Sequence, residues 1–60
     1  VAEEYKIREM AKIIQILKQN ATELKQISGG IQAVDKNVDR ILASIKMLEI
    51  NVGDLVEMVQ

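Results

Sequence analysis

Asp35, Lys36, Asp39 and Arg40 form a compact group of ionisable side chains in this 60-residue chain. On a helix, Asp35 and Asp39 share one face, as do Lys36 and Arg40. Paired carboxylates are what acid–base chemistry would need. Here each carboxylate has a cation beside it in sequence, and the group reads as a solvated helix face. Ser28 and Ser44 are the remaining nucleophile candidates, but the chain has no His or Cys to activate them. Gly29-Gly30 matches no phosphate-cradling pattern. Without Cys or His there is neither a disulfide nor a zinc site of the usual kind. The sequence is read as non-enzymatic, with no cofactor and no metal.

What must position these residues is a framework built almost wholly from Ile, Leu, Val, Ala and Met, with Tyr5 as the single aromatic. A domain of this length buries little surface and is marginal alone, so a partner chain is the expected remedy. A net charge of −1 leaves no basic footprint for direct nucleic-acid binding. The longest uncharged stretch runs from 26 to 34 and contains Ser, two Gly and two Gln. That is far short of the ~20 apolar residues of a membrane span. The chain begins and ends in mid-pattern, as an excerpt of a longer protein would, and the lack of Cys fits a reducing intracellular setting. The whole of 1–60 is read as one oligomerisation domain.

The strongest signal is the hydrophobic period. Ile31, Val34, Val38, Ile41, Ile45, Leu48, Val52, Leu55 and Val59 recur at alternating spacings of three and four. This is a heptad repeat, and its 3.5-residue period implies a left-handed supercoil. With Ile31, Val38, Ile45, Val52 and Val59 at position a, the d positions are Val34, Ile41, Leu48 and Leu55. Carried backwards, the same frame places Met10, Leu17 and Leu24 at a, and Ile13, Asn20 and Ile27 at d. A second frame competes in the first half: Ile7, Met10, Ile14, Leu17, Ala21, Leu24, Ser28 and Ile31. It turns Asn20 outward, brings Ala21 and Ser28 inward, and needs a stammer near Ile31.

Gly29-Gly30 is the obvious breaker, since each Gly costs about 0.8–1.0 kcal/mol relative to Ala inside a helix. Two readings follow. One is a hairpin with helices at roughly 2–28 and 31–60. The other is one continuous helix of roughly 85–90 Å at 1.5 Å per residue. The heptad phase runs through the glycines without slipping, and this favours the continuous helix. Only four of the seventeen flanking e and g positions are charged, so the buried face is broad. The order of preference is a parallel homotetramer, then a trimer, then a dimer. The fold class is thus all-α, a long-helix parallel coiled coil with a seam made of the fifteen a and d residues.

Asn20 is the polar exception in that seam and reads as a register device. It also opens Asn20-Ala21-Thr22, a glycosylation acceptor pattern, though one side chain cannot serve both roles. Met10 belongs to the core, Met47 and Met58 lie at the periphery, and Ile50 at an outer position marks a secondary contact. Two rivals stand beside homo-oligomerisation. The face carrying Ile7, Ile14 and Ile16 would accept helices of another protein, or the chain would be a trimeric extracellular or fusion-protein stalk.

The stretch Gly29-Gly30-Ile31-Gln32-Ala33-Val34-Asp35-Lys36-Asn37-Val38-Asp39-Arg40, continuing through Ala43-Ser44-Ile45-Lys46-Met47-Leu48-Glu49, resembles the multimerisation domain of paramyxovirus phosphoproteins. The matching positions are Val34, Val38, Ile45 and Leu48 in the seam, with Arg40 and Glu49 outside it. The resemblance implies a parallel tetrameric coiled coil in the host cytoplasm. It would tether copies of a polymerase cofactor whose other regions meet the viral polymerase and the nucleoprotein.

Overall fold

The computed structural model describes the backbone of residues 2–59 and the side chains of residues 6–55. Two α-helices, α1 (Ala2–Ile27) and α2 (Gln32–Val59), account for nearly all of it. They pack against each other as a hairpin with extents of 44 × 15 × 11 Å. The chain is therefore all-helical, but the single continuous helix favoured by the heptad phase is replaced by two. The reason lies at the glycines. Gly29 and Gly30 have φ of +66° and +87°, the left-handed region that glycine enters without steric cost. Gly29 follows the end of α1 where a left-handed residue ordinarily closes a helix. The phase was preserved across a turn, and phase alone does not distinguish the two forms.

The turn is held by few bonds. Ile31 N–H donates to the Ser28 carbonyl at 3.3 Å, and Asp35 N–H to the Ile31 carbonyl at 2.9 Å, opening α2. Ser28 Oγ lies 2.9 Å from the Lys25 carbonyl oxygen and also against Asp35 Oδ1. Its one proton is divided between two acceptors, tying the last turn of α1 to the first turn of α2. Charges suit both helix ends, with Lys25 in the last turn of α1 and Asp35 in the first turn of α2. A Cβ added at Gly29 or Gly30 would meet nothing within 4 Å, so substitution there is penalised by backbone conformation alone. Gly29→Ala and Gly30→Ala are each expected to cost about 1–2 kcal/mol, read as a lowered midpoint in urea. An unchanged midpoint would show that the turn does not need its left-handed residues.

The core is a single seam. Ile7, Ile14, Ala21 and Ser28 of the α1 side face Val38, Ile45 and Val52 of α2, all buried. Ala11, Val34 and Leu42 pack against them half-buried. Both sets recur every seven residues. Within the chain the α1 side buries Ile7, Ile14, Ala21 and Ser28 of the second frame, while that frame's Met10, Leu17, Leu24 and Ile31 stay exposed. Val38 is the most buried large side chain, 1% exposed.

Candidate functional site

On a helix at 100° per residue, α1 and α2 each have two flanks beside the seam. In an antiparallel pair, like flanks meet, so the hairpin has two different sides. One is polar and closed. Lys18 Nζ lies 3.3 Å from Glu49 Oε2, Gln15 donates to the same carboxylate at 3.0 Å, and Lys25 pairs with Asp39. These bonds span the two helices and fix their register. The hydrogen bond and charge of Asp39, and more weakly the charge of Asp35, raise the Lys25 pKa above its ordinary 10.5.

A raised lysine pKa means that the folded chain binds this proton more tightly than the unfolded chain does. The contribution is complete below 10.5 and disappears as pH climbs through the higher folded value. Asp39→Asn is therefore expected to return the Lys25 titration, followed by NMR, towards the ordinary lysine value. A titration unmoved by the substitution would exclude Asp39 as the cause. Because Lys25 is exposed, its effect on stability is small.

The other side is apolar and open. Met10, Leu17 and Leu24 of α1 and Ile41, Leu48 and Leu55 of α2 are all between 41% and 48% exposed. Leu17, Ile41 and Leu48 line one groove across the two helices, with Ser44, Ile45 and Arg40 completing it. Next to this flank, Ile13 and Ile27 stand 57% and 73% exposed, with Asn20 between them on the same row. These are the α1 residues of the first heptad frame. The residues peculiar to the second frame, Ile7, Ile14, Ala21 and Ser28, make the seam inside the chain, and those the two frames share, Met10, Leu17 and Leu24, line the open flank.

The fifteen expected seam residues divide accordingly. Val38, Ile45 and Val52 are buried against α1, and Val34 is half-buried. Met10, Ile13, Leu17, Asn20, Leu24, Ile27, Ile31, Ile41, Leu48 and Leu55 are exposed in the single chain. Val59 lies outside the residues whose side chains are described, as does Met58. Within one chain, the structure corrects the burial of α1's a and d residues by giving that place to Ile7, Ile14 and Ala21. It also changes the partner-binding rival, since Ile7 and Ile14 are already covered by α2 and only Ile16 remains open. Ser28 is the seam residue hardest to read from sequence. The second frame brought it inward, but its tie to Asp35 depends on the turn.

Comparison with family models, with curated proteins and with solved structures finds no match to this chain. The geometry is what describes the site. Among the described residues, no group of three or more acidic, His or Cys side chains could hold a metal ion, and no buried side-chain polar atom lacks a partner. Among the described residues, no helix is long and apolar enough to cross a membrane. The feature that stands out is the uncovered apolar flank.

Proposed function

We propose that this chain is a self-association module whose open flank docks on further copies of itself, holding the proteins that carry it together. The observation that carries this reading is area. A compact monomer of 6.7 kDa is expected to expose about 3,900 Å², whereas this hairpin exposes 4915 Å². The excess of about 1,000 Å² is close to the ~800 Å² that each partner contributes to a standard protein–protein interface. The radius of gyration agrees: 14.0 Å against about 10 Å for a compact chain of this length. An elongated two-helix hairpin has one seam to bury, and a second copy supplies the cover that a larger domain would supply itself. Two hairpins stacked on their open flanks make a four-helix bundle, in which inward-facing stripes of this kind are the norm.

A specific observation favours a second architecture for the same function. The heptad phase passes through Gly29-Gly30 unbroken, so a chain that straightened at the turn would align its a and d residues in one stripe. Four such helices in parallel are the arrangement that the likeness of residues 29–49 to the phosphoprotein domains implies. A tethered polymerase cofactor in an infected cell would be its context. Sedimentation equilibrium separates the outcomes: two chains per particle for paired hairpins, four for the straight coil, one if the flank stays open. Ile14→Lys gives an independent reading. Ile14 is 6% exposed in the hairpin seam but occupies a flanking position in the straight coil. A loss of about 2–4 kcal/mol supports the hairpin, and a near-neutral result supports the straight coil.

A further inference from the structure

Resting on the self-association reading, the packing of the seam also bears on what α1 is for. Val38, Ile45 and Val52 are 1%, 3% and 7% exposed, so α1 leaves no surface on this row for another chain. The same three residues are position a of the heptad stripe in α2. A straightened chain would offer them, together with Ile41, Leu48 and Leu55, to other chains. One row cannot face both neighbours at once. We infer that α1 masks the associating stripe of α2, and that Gly29-Gly30 is the hinge between a masked hairpin and an open, straightened chain.

The mask is incomplete. The α1 side covers the row with Ile7, Ile14, Ala21 and Ser28, of which the last two bring little apolar area. Its own a and d residues Met10, Ile13, Leu17, Leu24 and Ile27 are left between 43% and 73% exposed. Ile27 and Ile31, on either side of the hinge, are the two most exposed large aliphatic side chains among the described residues, at 73% and 59%. Leu24, Ile27, Ile31 and Val34 follow one another at spacings of three, four and three. On a continuous helix they would join the two half-stripes into one. Folding back strands them in water, and straightening gives them a place in the stripe.

The hinge itself offers little resistance. A glycine passes between left-handed and helical backbone without steric cost, and there is open space where a Cβ would stand at Gly29 and at Gly30. Apart from the seam, the hairpin is held by ties that exist only while the helices lie side by side: Lys18 to Glu49, Lys25 to Asp39 and Ser28 to Asp35. Exposed ion pairs of this kind contribute little. The main loss on opening is therefore the seam, and further chains replace it on the same row of α2. A form that only the open chain can build is drawn out by mass action as chains become concentrated, and the lone chain stays closed.

Nitroxide labels on Lys12→Cys and Lys46→Cys test this in the full chain by pulsed electron–electron distance measurement. Both positions are exposed, and each is three residues from the Gln15–Glu49 hydrogen bond, so the hairpin holds them close together. A straight helix sets them about 51 Å apart at 1.5 Å per residue, beyond the 44 Å length of the hairpin. Doubly labelled chains diluted into unlabelled ones report distances within one chain. The short distance alone is expected in dilute solution, with the long one growing in as particles form. Gly29→Ala combined with Gly30→Ala disfavours the turn and favours the helix, and is expected to tighten association by about tenfold or more while enriching the long distance. Particles in which every distance stays short, or a double variant that associates more weakly, would overturn the mask and leave self-association standing. A wild-type chain that forms no particle at any concentration is a different outcome: it removes the self-association reading itself.

Discussion

Ile41→Lys is expected to break the particle into single chains. In one hairpin Ile41 is 48% exposed, so a lysine there would lie in water at almost no cost. In the associated form the same position sits in the middle of the open flank, in the groove with Leu17 and Leu48. Each chain then loses about 1.5–3 kcal/mol of apolar burial, and a symmetric pair loses this twice. The dissociation constant should rise by a factor of roughly 10² to 10⁴, at 1.4 kcal/mol per decade. Light scattering over a dilution series reads it directly. Lys46→Ala is the control: Lys46 is exposed on the side away from that flank, and a change within about 0.5 kcal/mol is expected. Equal responses from the two variants would mean that the flank is not an interface.

Val38→Asp should abolish the fold at any concentration. Val38 is 1% exposed, in the core between the helices. The substitution removes a buried aliphatic group and leaves a carboxyl without a partner in the seam. Together these should exceed about 4 kcal/mol, a large share of what a domain of this size has to lose. Circular dichroism should show most of the helical signal gone, since neither helix is self-sufficient once the seam is lost. Val38→Ala, which leaves a void and no charge, should retain the helices with a stability lower by about 2 kcal/mol. A cooperative melt retained by Val38→Asp would show that the seam does not hold the hairpin together.

Much of this architecture could be read from the residues. The aliphatic stripe from Ile31 to Leu55 marked this half of the chain as helical, since a three–four alternation of large apolar side chains fits a helix. Of its residues Val38, Ile45 and Val52 form the inward row, while Ile31, Ile41, Leu48 and Leu55 are exposed in the single chain. Gly29-Gly30 marked the place where the chain could reverse. Whether it does so depends on long-range packing: two left-handed glycines are offset by a seam between residues as far apart as Ile7 and Val52. Nothing local expresses that balance, and the unbroken phase pointed the other way. The two frames of α1 were visible as an ambiguity. In three dimensions they overlap, one supplying the seam between the helices and the other the row beside the open flank. The cross-helix bridges from Lys18 and Lys25 were not legible, since their partners Glu49 and Asp39 become neighbours only after the chain has turned.

The contrast between the bridged and the bare side sets a limit on growth. A building block that paired through its bare side alone would have a valence of one, and its product would present Lys18, Glu49, Lys25 and Asp39 to the solvent around it. Such blocks form finite, soluble clusters instead of polymerising into fibres. Replacing the charged side with leucine would be expected to turn a closed particle into an open-ended one.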